Sequence, residues 1–122
     1  MKKNQFFLAL GLVVIAATAF VADKSIVGSW NVHYGDGASG TVVFRKDGTD
    51  EATWDGTNWK LHGTYKVEGS KVSIADSSCG LGYWGTYKAN WYSDDSVQVS
   101  FIADTCGGRR HSVEGSVLVR AK

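Results

Sequence analysis

Residues 60–76 read KLHGTYKVEGSKVSIAD and contain the pattern that decides the fold. Apolar and polar residues alternate on both sides of Glu68-Gly69, a pair typical of a hairpin turn. A period of two places successive side chains on opposite faces of a strand, so that one face can be buried and the other solvated. We therefore predict an antiparallel hairpin with strands at 60–67 and 70–76.

The same alternation continues outward from this hairpin in both directions, and no segment of the remaining domain has apolar residues at helical spacing. Tight turns are predicted at Asp47-Gly48 and at Ser93-Asp94-Asp95. The predicted strands are 27–34, 40–46, 50–55, 60–67, 70–76, 83–92, 96–103 and 111–120.

All connections between these strands are short, so each strand should pair with the next. We predict an all-β fold, an eight-stranded antiparallel up-and-down β-barrel, because closure removes the exposed edges of the sheet. An open two-sheet sandwich is the alternative. Alternation predicts an inward-facing set of Trp30, Val32, Tyr34, Val42, Phe44, Ala52, Trp54, Leu61, Tyr65, Val72, Ile74, Tyr87, Ala89, Trp91, Val97, Val99, Phe101, Val113, Val117 and Val119.

The N-terminal segment differs in character from the rest of the chain. The basic pair Lys2-Lys3 precedes an apolar run that ends in small residues, the pattern of a signal peptide cleaved after Ala19 or Ala22. We expect residues 1–22 to be that signal peptide and residues 23–122 to form the barrel domain, secreted or periplasmic. A membrane anchor is the alternative, although a span needs about 20 apolar residues.

Export would place Cys79 and Cys106 in an oxidising compartment, where a disulfide is the first expectation for a pair of cysteines. A metal site needs more ligands, and redox chemistry favours a C-x-x-C spacing. In the predicted barrel both cysteines lie in loops at the same end, as a disulfide bond requires.

The composition excludes several classes of protein. The chain has 13 Lys and Arg against 12 Asp and Glu, a net charge of +1. Removal of the predicted signal peptide takes away two lysines and no acids, which leaves 11 basic and 12 acidic residues and a net charge of −1. This balance is not that of a nucleic-acid binder. Five each of Trp, Tyr and Phe also exclude a disordered chain.

The ends of the domain carry a family resemblance. Gly28-Ser29-Trp30 on the first strand resembles the G-x-W of the lipocalins, and Arg120 on the last strand resembles their C-terminal arginine. Residues 43–49, 63–65 and 104–110 are similar to the small exported lipocalin-like proteins of bacteria. The resemblance implies that Trp30 and Arg120 pack together and close the tight-turn end of the barrel.

The interior of the predicted barrel carries the main functional hypothesis. An eight-stranded barrel has room either for its own side chains or for one small ligand. We expect binding of a small apolar or aromatic molecule at the long-loop end, with phenolic hydroxyls orienting it. The alternative is an aromatic core that fills a small domain. The residues assigned to the ligand site are Tyr34, Trp54, Trp59, Tyr87 and Phe101.

A second class of function is a secreted interaction or inhibitor module with a filled core. It would act through its loops and through the outer aromatics Trp59, Trp84 and Tyr92, because aromatic residues are enriched at interface hot spots. Its expected partners are proteins, whereas the first hypothesis requires only a small hydrophobic ligand. Under either hypothesis we expect no nucleic-acid partner, no membrane span after signal cleavage, and a monomer or weak oligomer.

We expect the protein not to be an enzyme, with no catalytic residues, no cofactor and no metal site. The chain has no H-E-x-x-H, G-x-S-x-G or P-loop motif. A catalytic metal usually needs three convergent ligands. The histidines instead lie on three separate predicted strands, at His33, His62 and His111.

Overall fold

The computed structural model describes residues 24–122, and the predicted signal peptide at residues 1–22 lies outside them. The described chain forms strands β1 (Gly28–His33), β2 (Ser39–Phe44), β3 (Thr49–Trp54), β4 (Lys60–Glu68), β5 (Lys71–Asp76), β6 (Gly85–Ser93), β7 (Ser96–Ala103) and β8 (Val117–Arg120). One helix, α1 (Gly107–Val113), lies between β7 and β8 in this part of the chain.

Each strand pairs antiparallel with the next, and β8 returns to pair with β1. The sheet therefore closes into an eight-stranded barrel, which confirms the predicted fold and excludes the open sandwich. We call the end with the β1–β2, β3–β4, β5–β6 and β7–β8 connections the open end. The opposite end, with the three tight turns, is the closed end.

The tight turns form where the sequence predicts them. Gly48 and Gly69 have φ angles of 87° and 60°, in the left-handed region that glycine adopts without a steric penalty. Asp47 fixes the β2–β3 turn because its carboxylate accepts a hydrogen bond of 2.9 Å from the Thr49 N–H. Hydrogen bonds from Thr49 hold the pKa of Asp47 below its usual value.

The closed end is sealed by Trp30 and Arg120. Trp30 is fully buried, and its indole N–H donates to the Ile26 carbonyl at 2.9 Å. The Arg120 guanidinium lies 4.2 Å from the centre of the Trp30 ring and donates to the Asp94 carbonyl at 2.9 Å. Gly28 has a φ angle of 133°, which residues with a side chain rarely adopt, and a Cβ there would lie 3.0 Å from an Arg120 nitrogen.

The predicted last strand, 111–120, is wrong in its first half. Residues 107–113 are helical, and β8 begins only at Val117. The Cys106 N–H donates to the Asp104 carboxylate at 2.9 Å, and Arg109 binds the same carboxylate, so the chain curls around Asp104. These side-chain bonds override the weak β pattern of the segment.

The helix also changes which side chains of β8 face inward. Leu118 pairs with Val32 on one side and Val97 on the other, and it is buried. Val119 was predicted to face inward, but it is 46% exposed. Because side chains alternate along a strand, the inward side of β8 belongs to Leu118.

The predicted disulfide is confirmed. Cys79 and Cys106 are bonded, with their Cα atoms 6.0 Å apart. Cys79 lies in the β5–β6 connection, and Cys106 immediately precedes α1. The bond therefore ties two open-end connections together.

Candidate ligand-binding cavity

The barrel is not filled by its own side chains. It encloses a cavity of about 470 Å³, within the range of roughly 300–1,000 Å³ that is typical of small-molecule pockets. Inward-facing residues of several strands form an apolar wall, made of Val32, Val42, Phe44, Ala52, Leu61, Val72, Ile74, Val99 and Leu118.

The cavity exists because the large aromatics are divided between the two ends of the barrel. At the closed end, the Trp30 and Trp91 rings are 5.9 Å apart, and Phe44 and Tyr65 are 5.0 Å apart. These two pairs form a plug below the cavity. The middle of the barrel is left to smaller aliphatic side chains such as Ala52, so space remains there.

Three aromatic rings form a stack at the open end. The Tyr34 and Trp54 ring centres are 4.8 Å apart with planes 11° apart, and the Trp54 and Trp59 centres are 4.6 Å apart. Trp59 belongs to the β3–β4 connection and is 56% exposed, while Tyr34 is buried. The stack therefore runs from the cavity wall to the protein surface.

Four of the five predicted site residues line the cavity: Tyr34, Trp54, Trp59 and Tyr87. Phe101 does not. It faces Tyr87 across β6 and β7, with ring centres 6.3 Å apart, and the guanidinium of Arg110 lies 3.8 Å from its ring centre. Because α1 carries Arg110, the helix that the sequence pattern missed covers Phe101.

The two phenolic hydroxyls of the cavity are already bonded to the protein. The Tyr34 hydroxyl donates to the Thr53 carbonyl at 2.9 Å, and the Tyr87 hydroxyl donates to the Asp104 carboxylate at 2.6 Å. Burial raises the pKa of both tyrosines, with neighbouring carboxylates adding to the effect. Both rings therefore offer a ligand their faces, while their hydroxyls hold the wall in place.

A buried ion pair anchors α1 across the open end. Arg109 has a side chain only 2% exposed, and its Nε and Nη2 donate to the two Asp104 oxygens at 2.8 and 2.9 Å. Nη2 also donates to the Tyr83 carbonyl at 2.8 Å. Burial opposes ionisation of Asp104, but hydrogen bonds from Arg109 and Tyr87 outweigh it and hold the Asp104 pKa below its usual value.

Gly85 makes room for this ion pair. A Cβ at Gly85 would lie 2.2 Å from an Asp104 carboxylate oxygen, so a larger residue would displace the carboxylate. Arg109 lines the cavity, and its Nη1 is buried, 3.7 Å from the nearest Asp76 oxygen and without a hydrogen-bond partner.

Two further acids line the cavity, Asp50 on β3 and Asp76 on β5. They flank Gly63 in one row across the sheet, since Asp50 pairs with Gly63 and Gly63 pairs with Asp76. The Asp50 Oδ2 is buried and has no hydrogen-bond partner. Burial, and then the charge of Asp76, raise the pKa of Asp50 to about 6.

Sequence reasoning missed these polar residues, although part of the signal was present. Asp50 has the same parity as the inward residues Ala52 and Trp54, and Asp76 continues the inward series of β5. Arg109 gave no such signal, because it lies outside every predicted strand. Only the position of α1 brings it to the cavity.

The outer aromatics do not form one surface. Trp59 belongs to the open-end stack, whereas Tyr92 lies beside the β6–β7 turn at the closed end. The Lys66 ammonium lies 4.1 Å from the centre of the Trp84 ring and covers it. The hypothesis of an interaction module expects a filled core and an outer aromatic surface. The structure instead has a cavity in the barrel and outer aromatics that lie apart from one another.

Within residues 24–122, no group of three or more His, Cys, Asp or Glu side chains is arranged to hold a metal ion. His33 bonds Ser39 at 3.0 Å, and His62 lies 3.4 Å from Glu51. The helices of the described chain include none long and apolar enough to cross a membrane.

No protein-family model matches the chain, and no curated protein is significantly similar to it in sequence. Similar solved structures include a lipocalin-like protein from Bacteroides uniformis ATCC 8492, with a TM-score of 0.51 and 21% identity over 79% of this chain and 98% of that one. Pallilysin from Treponema pallidum has a TM-score of 0.53 and 10% identity over 94% of this chain and 97% of its own. With the closed barrel, these likenesses show a lipocalin-like barrel fold.

Proposed function

We propose that this protein is an exported binding protein that holds one small apolar or aromatic molecule in its barrel. The observation that carries the proposal is the preformed, mainly apolar cavity of about 470 Å³ beside the Tyr34–Trp54–Trp59 stack. Concave apolar sites with a few placed polar groups are typical of small-molecule binding. Tyr34, Trp54 and Trp59 all line the cavity, so an aromatic ligand can contact this stack.

Export is supported by two independent features. The signal-peptide pattern of residues 1–22 predicts secretion, and the Cys79–Cys106 disulfide fits the oxidising compartments to which secreted and periplasmic proteins are sent.

The proposed role is binding and not catalysis. The most deeply buried polar groups of the open end, Asp104, Arg109 and Tyr87, are bonded to one another and hold α1 against the barrel. These three residues therefore have a structural role, because each forms hydrogen bonds or an ion pair with another member of the group.

The proposal is tested by titrating the secreted form with the neutral fluorescent probe N-phenyl-1-naphthylamine. We expect saturable binding with one site per chain, with tryptophan emission quenched as probe emission rises. An Ala52→Phe variant fills the middle of the cavity and should weaken binding at least about tenfold, a change of about 1.4 kcal/mol.

The matched control is Ala103→Phe, the same substitution at an exposed alanine that does not line the cavity. It should bind the probe as the unmodified protein does. Absence of saturable binding to this probe and to retinol, or equal binding by the Ala52→Phe variant, would contradict a site inside the barrel.

A further inference from the structure

The charges at the cavity are unequal. Its lining includes three acids, Asp36, Asp50 and Asp76, and a single base, Arg109. A fourth acid, Asp104, lies directly behind Arg109 and binds it through both oxygens. An apolar pocket with this excess of carboxylates has a negative potential that its low-dielectric walls strengthen.

Arg109 is not free to serve as a counter-ion for an anionic ligand. Its charge is matched by Asp104, and Asp76 lies a further 3.7 Å from Nη1. The Nη1 atom has no hydrogen-bond partner but is shielded from solvent, so a ligand beside Arg109 gains no direct hydrogen bond from it. A ligand carboxylate at that position would face both Asp104 and Asp76.

Asp50 has the opposite character. Its Oδ2 is shielded from solvent and has no donor, so the carboxylate lacks the bonds that buried polar groups normally make. Gly63 lies between Asp50 and Asp76 in the sheet, and a Cβ there would lie 2.9 Å from the Asp76 Cβ, so the glycine leaves room for the Asp76 side chain. A carboxylate that lacks a donor, beside a second acid in the wall of an apolar cavity, is suited to a donor group that carries positive charge.

We propose that the ligand is an amphipathic amine, whose ammonium group binds Asp50 and Asp76 while its apolar part fills the barrel. This inference rests on the proposed binding function and names its ligand class. It distinguishes the protein from a carrier of fatty acids, since an alkyl carboxylate would bring a further negative charge to the cavity.

The test uses three ligands with the same alkyl chain, decylamine, decanol and decanoate, each competing against N-phenyl-1-naphthylamine at pH 7.5. We expect decylamine to bind at least about tenfold more tightly than decanol, and decanoate to bind most weakly, because a charge-assisted hydrogen bond is stronger than a neutral one. Decanol or decanoate binding as tightly as decylamine would overturn the inference while leaving the binding function intact. Failure of the probe itself to bind would instead contradict the proposed function.

Substitutions identify which carboxylate binds the ammonium group of the ligand. Asp50→Asn keeps the size of the side chain and should reduce the amine-to-alcohol affinity ratio to about one; Asp76→Asn should reduce it partly. Glu51→Gln is the matched control, since Glu51 pairs with Arg45 and Lys60 and does not line the cavity. An unchanged ratio in the Asp50→Asn variant would overturn the assignment, and the comparison of the three ligands stands even if a variant fails to fold.

Discussion

Asp50 is the residue whose chemistry conflicts most with its surroundings. It lines the cavity, and its Oδ2 is buried without a hydrogen-bond partner, near the ionisable groups Asp76, Tyr65 and Arg45. Natural proteins keep a destabilising polar group of this kind mainly where function requires it. Its cost should therefore be measurable as a dependence of stability on pH.

We predict that Asp50→Asn stabilises the ligand-free protein. Burial and the charge of Asp76 raise the Asp50 pKa to about 6 in the folded state, so the folded protein binds this proton more tightly than the unfolded chain does. The stability that the folded protein gains from this bound proton is fully present below the pKa of Asp50 in the unfolded chain, and it is lost as pH rises through about 6. At pH 7.5 the asparagine should add about 1–2 kcal/mol, allowing for solvent screening, and near pH 4 it should add little.

Urea denaturation at the two pH values measures this difference, with Glu51→Gln as the outer-face control. Equal stability of the Asp50→Asn and unmodified proteins at pH 7.5 would show that the carboxylate is satisfied in solution.

Arg109 is the second residue with a large predicted effect. Its side chain is 2% exposed and its partner Asp104 is fully buried, so removal of one partner leaves a charge without compensation. Arg109→Met should lower the free energy of unfolding by about 3–5 kcal/mol in urea denaturation.

The control for Arg109 is the exposed pair of Arg110 and Glu114 on the same helix. Glu114→Gln removes a solvent-screened interaction and should change stability by less than about 0.5 kcal/mol. Similar losses in the two variants would mean that the buried pair does not hold α1.

At the scale of elements, α1 is the feature that the sequence pattern did not reveal. Residues 107–113 begin with two glycines, which are poor helix formers, so local preference does not account for the helix. Asp104 accounts for it instead, because the Cys106 N–H and the Arg109 guanidinium both bind its carboxylate. Bonds to the carboxylate of Asp104, the residue that follows β7, thus override the helix preference of the individual residues.

The disulfide reinforces the same element. It joins Cys106, which immediately precedes α1, to Cys79 across a sequence separation of 27 residues. In the chain-entropy model a loop of that length contributes about 3.5 kcal/mol. We predict that the double variant Cys79→Ser, Cys106→Ser loses about that much stability.

Urea denaturation with and without a phosphine reductant measures the loss. The reductant should destabilise the unmodified protein and leave the double variant unchanged. A reductant effect on the double variant, or an unfolding midpoint that the substitutions do not move, would contradict a stabilising disulfide bond.

At the scale of the whole molecule, strand order and closure follow from short-range information. The turn at Glu68-Gly69 and its counterparts make each strand pair with its neighbour, and eight neighbours in series close a barrel. The wrong direction predicted for Val119 shows the limit of this reasoning. The short helix before β8 shifts by one residue which side chains of the strand face inward, and the local sequence pattern does not predict that shift.

The candidate site was predictable in its aromatic part and not in its charged part. Tyr34, Trp54 and Tyr87 follow from alternation, and Trp59 follows from its place in an open-end loop. Asp50 and Asp76 fall at inward-facing positions of the alternation. Alternation alone cannot tell whether such an acid is really buried or whether the strand has been assigned the wrong register. Their positions depend on the pairing of β3, β4 and β5, which sets Asp50 and Asp76 on either side of Gly63.

The amino-acid sequence by itself determined the strands, their turns, the closure of the barrel and the cysteine pair, because these depend on alternation and on contacts between neighbours in the chain. Only the tertiary structure decided that the barrel has a cavity, that α1 covers Phe101, and that Arg109 is held by Asp104. The physical reason is that a cavity is the space left after all side chains have packed, and a buried charge is tolerated only where the folded chain supplies its partners.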